Sequence, residues 1–254
     1  DDDHIKGCIQ YLQEKGEKII DKVWINGSGS RVYSDMQEHS VNNVSNLVTL
    51  IMEKNIPIET PILEGKEYVF CGGRIKVIGP TKNEMLKVAT KIEHSNQVTE
   101  HAGYKYVGNI IDVQDKYQPD LSDSNKASII MVVEFENKKL LFTGDSTSEN
   151  IIKAVDKYYP GDEFEVVKLP HHGSPRNISR ELIRRLSTNK FIISTNKALE
   201  KVVLFRFAEE RKTTELLCNY GWWATGYFTE DDIKKYFDTN RIVMIYIGEE
   251  KIIL

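Results

Sequence analysis

Apolar residues recur at helical spacing over residues 5–15, where Ile5, Cys8, Ile9 and Leu12 fall on one face. A second stripe of Val44, Leu47, Val48 and Ile51 predicts a helix over 41–54, which stops ahead of Pro57. Between them, residues 19–25 alternate toward a strand that ends at the turn-forming run Asn26-Gly27-Ser28-Gly29-Ser30. Two further strands, 67–71 and 74–78, are joined by Gly72-Gly73 and closed by Gly79-Pro80, and a helix is expected over 83–93.

From Ala127 the pattern sharpens. Residues 128–134 read as a buried strand, Asn137-Lys138 as a turn, and 140–142 as a strand running into Gly144-Asp145. A helix (149–158), a strand (164–168), a His171-His172 loop, a helix (180–186) and a strand (191–194) follow. Strands alternating with helices predict a layered α/β architecture. The tail reads as a long helix over 199–217, an aromatic segment (Tyr220, Trp222, Trp223, Tyr227, Phe228) and a closing hairpin of 242–247 with 251–254. The aromatic segment can stack bases, but packing under that hairpin is the stronger expectation.

The stretch 94–124 is polar and weakly periodic. A connection of that length suits an insertion or lid, and a plain surface loop is the alternative. The 254 residues are expected to form one domain, 1–254, with 198–254 as its C-terminal helix and hairpin.

Composition narrows the class. The chain is 40% hydrophobic and 28% charged, and its longest apolar runs, 127–135 and 241–247, have strand length and cannot span a bilayer. A net charge of −4 gives no general nucleic-acid footprint, so a polyanion would need a local patch or metal ions. Cys8, Cys71 and Cys218 are odd in number and widely spaced, which fits neither a disulfide framework nor a thiolate zinc site. A reducing cytoplasm follows as the simplest location.

Three clusters carry ligand chemistry: Asp1-Asp2-Asp3-His4, Thr143-Gly144-Asp145 and Pro170-His171-His172-Gly173-Ser174. The first precedes a helix; the other two follow strands. A charged Asp at the end of an apolar strand is costly unless paired or metal-bound. Each cluster has a plainer account: an acidic terminus for Asp1–Asp3, a helix cap for Asp145, a packed loop for the histidines. Their coincidence at strand and helix junctions favours a metal site. His39, His94 and His101 lie in polar stretches and read as surface residues.

These segments resemble the metallo-β-lactamase-fold hydrolases, most closely the soluble relatives of the C-terminal domain of the bacterial competence channel protein. That group has His-x-Asp-x-Asp-His-Ile-x-Gly, then Asn-x-x-Ser before a strand, then Leu-x-Thr-Gly-Asp, then Lys-x-Pro-His-His-Gly-Ser. This chain has Asp1-x-Asp3-His4-Ile5-x-Gly7, Asn125-x-x-Ser128, Leu141-x-Thr143-Gly144-Asp145 and Lys168-x-Pro170-His171-His172-Gly173-Ser174. Gly79-Pro80 and Ser194-Thr195-Asn196 fit as well, and the resemblance covers roughly 1–197. It implies an αββα sandwich, here without the N-terminal strands that complete the first sheet. It also implies a His two positions before Asp1, and further residues near Lys197.

The same resemblance implies a site for two divalent metal ions. Asp3, His4 and His171 would hold one, the expected upstream His and Asp1 the other, and Asp145 would bridge. The oxygen-rich set, with Asn125 rather than His near the third ligand region, tilts the choice toward Mn²⁺ over Zn²⁺. Asp3 and His172 are the expected catalytic groups; Asn125, Lys168, Ser174 and Arg176 are expected to contact substrate. A phosphodiesterase acting on nucleic acid leads. A hydrolase of a small ester, lactone or nucleotide is the alternative. A third reading is a degenerate regulatory module in a bacterial defence or DNA-uptake assembly.

Overall fold

The computed structural model describes residues 2–14, 20–26, 39–70, 72–91, 108–223 and 226–248, with residues 2–4, 39–45 and 89–91 described by backbone alone. The chain divides into two compact units: residues 1–62 with 85–96, and residues 63–84 with 97–254.

The first unit contains α1 (Asp2–Glu14), β1 (Val23–Trp24), α2 (His39–Glu53) and β2 (Ile58–Glu59). Leu12 of α1 packs with Leu47 and Ile51 of α2 and with Ile56, and Ile5 and Ile9 lean on this cluster. Cys8, expected on the same face, is exposed. The strand expected over 19–25 shortens to β1, which pairs in parallel with β2. Asn26 brackets the Ile62 backbone, donating from Nδ2 to its carbonyl (2.6 Å) and accepting its N–H (2.7 Å).

The second unit is built on one mixed sheet. Its first strands are β3 (Glu67–Phe70) and β4 (Gly73–Gly79), the hairpin expected around Gly72-Gly73. The helix α3 (Lys82–Lys91), which starts in this unit and continues from residue 85 in the first, begins with a reciprocal cap, Glu84 accepting the Thr81 N–H and Thr81 Oγ1 accepting the Glu84 N–H. Then come α4 (Asp123–Lys126), β5 (Ile130–Phe135), β6 (Lys138–Phe142), α5 (Ser148–Tyr158) and β7 (Val166–Lys168). The unit closes with α6 (Arg180–Arg185), β8 (Lys190–Ile193), α7 (Lys201–Glu210), β9 (Thr214–Cys218), α8 (Glu230–Asp232) with a π-helical turn Ile233–Phe237, and β10 (Ile242–Tyr246).

The eight strands lie in the order β10-β9-β8-β7-β6-β5-β4-β3. β3 to β6 form an antiparallel meander, and β6 to β10 are parallel to one another. The parallel strands advance steadily in one direction, so right-handed crossovers place their connecting helices on one face. The core agrees: Ile130, Val132, Leu141, Val167, Phe191, Ile193 and Leu216 of the sheet pack with Ile151 and Val155 of α5, Leu182 of α6, and Val203 and Phe207 of α7. On the other face Met131, Val133, Leu140, Phe142 and Ile192 are half-buried.

The α/β expectation is met by this mixed sheet with its helices. Three element readings are corrected. The helix expected over 199–217 ends at Glu210, and Thr214–Cys218 is β9, a central strand between β8 and β10. The closing hairpin is replaced for residues 242–246 by parallel pairing of β10 with β9; residues 251–254 lie outside the described residues. The part of 94–124 that is described, from 108 onward, is an anchored strap. Ile110 is fully buried in the core, and Asp115 is gripped by Arg180 and Arg206. In the aromatic segment Trp222, Trp223, Tyr227 and Phe228 pack against the core, though not under the expected hairpin, and Tyr220 is exposed.

Candidate metal centre

The sheet topology sets the site. Parallel strands deliver their following loops to one edge, the carboxyl ends, where α/β proteins bind ligands. There β6 runs into Thr143-Gly144-Asp145, β7 into Leu169-Pro170-His171-His172, and β8 into Ser194. Strand β5 runs the other way, so the residues just ahead of it, Asn125 to Ser128, come to the same edge.

Thr143 is fully buried and donates from Oγ1 to the Lys168 carbonyl (2.6 Å), tying the ends of β6 and β7 together. Gly144 then turns left-handed at φ +54; a Cβ there would stand 3.0 Å from the Ile129 carbonyl oxygen. Asp145 follows, 9% exposed. The reading of Asp145 as a helix cap does not hold: Thr147 is the N-cap of α5, its side chain accepting the Asn150 N–H.

His171 and His172 occupy left-handed backbone positions, φ +45 and +55, and Gly173 continues at +86. Left-handed geometry disfavours residues with a Cβ, and such outliers gather at functional sites. The turn is secured by the His171 N–H donating to the Gly144 carbonyl (3.1 Å) and the Ser174 N–H donating to the His171 carbonyl (2.9 Å). His172 Nδ1 lies 2.6 Å from the Ser194 carbonyl oxygen, a pure acceptor, so the proton sits on Nδ1 and the ring's basic nitrogen is Nε2. Below the loop, buried Arg206 donates to the carbonyls of Pro175 and Ile178, at 2.6 Å each, and pairs with Asp115.

Around His171 stands a polar shell. Its Nδ1 is 3.2 Å from Asn177 Oδ1, 3.2 Å from Asn125 Nδ2 and 3.7 Å from Asp120 Oδ2. Asp120 is 7% exposed; it accepts from Asn125 Nδ2 (2.6 Å), Asn177 Nδ2 (3.1 Å) and the Ser122 N–H (2.9 Å). Burial alone would push the Asp120 carboxyl up, but its donors, His171 foremost, outweigh it and hold the group well below the usual carboxylate range. Asp120 in turn raises the His171 imidazole against the opposing effect of burial, with Asp145 adding to the rise. Burial lowers the Lys168 amine, and the Asp145 charge partly restores it.

The second unit thus brings together Asp145, His171, Lys168 and Asn125, with His172, Ser174 and Arg176 on the same loop. Asn125 faces Asp120 and His171, and Lys168 donates from Nζ to the Leu169 carbonyl (3.1 Å). Ser174 Oγ accepts the Arg176 N–H (3.3 Å), and the Arg176 carbonyl accepts from Tyr117 and from the Asp120 N–H. Asp3 and His4 fall in the first turn of α1, in the other unit, and only their backbone is described; Asp1 lies outside the described residues.

Among the described residues, no group of three or more His, Cys, Asp or Glu side chains forms a metal-binding cluster. The carboxylate of Asp145 and the imidazole of His171 are an oxygen and nitrogen donor pair suited to Mn²⁺ or Zn²⁺. The shell behind His171 is of the kind that orients ligating histidines. These residues fit one part of a metal site. Asp120, Asn177 and Arg206 went unmarked in the sequence: Pro119-Asp120 reads as a turn, and nothing local distinguishes Asn177. No family model matches the chain, and no curated protein matches it. No helix among the described residues is long and apolar enough to cross a membrane.

Proposed function

We propose that this chain is a metal-dependent hydrolase of the metallo-β-lactamase kind, acting on phosphodiesters, with a nucleic acid as the substrate class. The observation that carries the reading is the meeting of Asp145 with the left-handed His171-His172 turn at the carboxyl ends of β6 and β7. The half-buried apolar row Met131, Val133, Leu140, Phe142 and Ile192 supports a second sheet on that face, as an αββα sandwich has.

A divalent metal, Mn²⁺ or Zn²⁺, held by Asp145 and His171 would supply an activated hydroxide and screen phosphate charge. His172, with its basic nitrogen at Nε2, exchanges a proton with the leaving oxygen. Lys168 offsets the Asp145 charge and, with Arg176, favours an anionic substrate, while Ser174 offers a hydroxyl to it. Asn125 acts from behind His171.

The test is hydrolysis of single-stranded DNA, RNA and bis-p-nitrophenyl phosphate by the purified chain with Mn²⁺, Zn²⁺ or Mg²⁺. Metal-dependent cleavage, reduced at least about 100-fold in Asp145→Ala and His171→Ala, is the expected result. Turnover confined to small esters or lactones would redirect the reading to the alternative substrates. Absence of any metal-dependent turnover would overturn it.

A further inference from the structure

Asn177 is fully buried and its amide can face only one way. Its Nδ2 stands 3.1 Å from Asp120 Oδ2, 3.2 Å from the Asp145 carbonyl and 3.1 Å from the Ser146 carbonyl. A flipped amide would press Oδ1 against three oxygens. Oδ1 must therefore face His171 Nδ1, 3.2 Å away.

Two partners compete for that ring nitrogen. Asn125 Nδ2 is also 3.2 Å from it, but lies closer to Asp120 Oδ2 at 2.6 Å. Asn177 Oδ1 and the Asp120 carboxylate at 3.7 Å both favour a proton on Nδ1. Two oxygens outweigh one amide donor whose closer partner is Asp120.

We propose that Asn177, held by Asp120 and by the Asp145 and Ser146 carbonyls, is a positioning residue that fixes His171 as the Nδ1–H tautomer and so presents Nε2 for ligation. This rests on the metal-site reading for its consequence, but not for the tautomer itself. The same amide that sets the His171 ring also holds the backbone of Asp145, so one side chain sets the spacing of two ligand positions from different strands. Removing Oδ1 leaves Asn125 as the nearest partner of Nδ1, which turns that nitrogen into an acceptor and moves the proton to Nε2.

The test is long-range ¹H–¹⁵N correlation of the histidine side chains in the full chain, at a pH where His171 is neutral, without and with Zn²⁺. The wild type is expected as Nδ1–H and Asn177→Ala as predominantly Nε2–H, with Zn²⁺ binding weakened about 10- to 100-fold. Asn125→Ala, which removes the competing amide donor and keeps Asn177, is expected to retain Nδ1–H. An Nε2–H ring in the wild type, or an unchanged tautomer in Asn177→Ala, would overturn the proposal. If Asn177→Ala does not fold, the wild type and Asn125→Ala still decide. A wild-type ring that ignores Zn²⁺ would instead count against the metal-site reading, while the metal-free tautomers continue to judge Asn177.

Discussion

Gly173 stands directly behind the histidine turn at φ +86, and a Cβ there would lie 2.3 Å from Leu199 Cδ1. Gly173→Ala meets both a backbone penalty and a collision with a buried side chain. It is expected to cost about 1–3 kcal/mol, read as a lower urea midpoint with an unchanged slope. Thr147 offers a contrasting case. As the N-cap of α5 it should cost about 1 kcal/mol when replaced by Ala. Asp145→Asn should disturb the helix start less, because the N-cap of α5 is Thr147; equal helix fraying in both variants would contradict that separation. At this scale the ligand-type residues were legible because Asp and His at strand ends are chemically conspicuous. Asp120 and Asn177 were not, since they lie 57 positions apart and Asn177 also reaches Asp145 and Ser146, 32 and 31 positions away. Local spacing carries no trace of such contacts.

Among the elements, the strap from 108 to 122 is held by charge. Arg206, 1% exposed, binds Asp115 and two carbonyls of the 175–178 loop, and Arg180 adds a second contact to Asp115. Arg206→Met strands two carbonyls and leaves Asp115 with Arg180 as its remaining arginine, and should cost about 2–5 kcal/mol. Burial raises the Asp115 carboxyl, but its hydrogen bonds with Arg206 and Arg180 prevail and lower it. A lowered folded pKa means that Asp115 contributes stability above its unfolded value of about 3.9, and loses it as pH falls through the folded value. The stability gap between wild type and Asp115→Asn should therefore be full at neutral pH and close in acid. A gap that widened in acid would contradict this assignment.

The strap and β9 show where periodicity misleads. The strap is polar in sequence because Asp115 meets Arg180 and Arg206, and Asp120 meets Asn177 and His171, all from far downstream. In Thr214–Cys218 the leucines suit either period, and the flanking β8 and β10 decide for a strand. The elements from β5 to β8 were legible because each is a short apolar run bounded by turn residues.

For the molecule as a whole, the alternation of strand and helix after residue 127 foretold an α/β layer, and right-handed crossovers account for the single helical face. The arrangement puts the Asp145 and His171 loops at one sheet edge without any local sequence signal for their closeness. Division of the chain into two compact units was not visible in composition, which varies little along it. The central claim is that Asp145 and His171 bind metal, and equilibrium titration of the purified chain with Zn²⁺ or Mn²⁺ tests it most directly. Saturable binding, weakened at least about 10-fold in both Asp145→Ala and His171→Ala, is the predicted result. A folded wild-type chain that takes up no metal, or binds it equally well after both substitutions, would contradict the account.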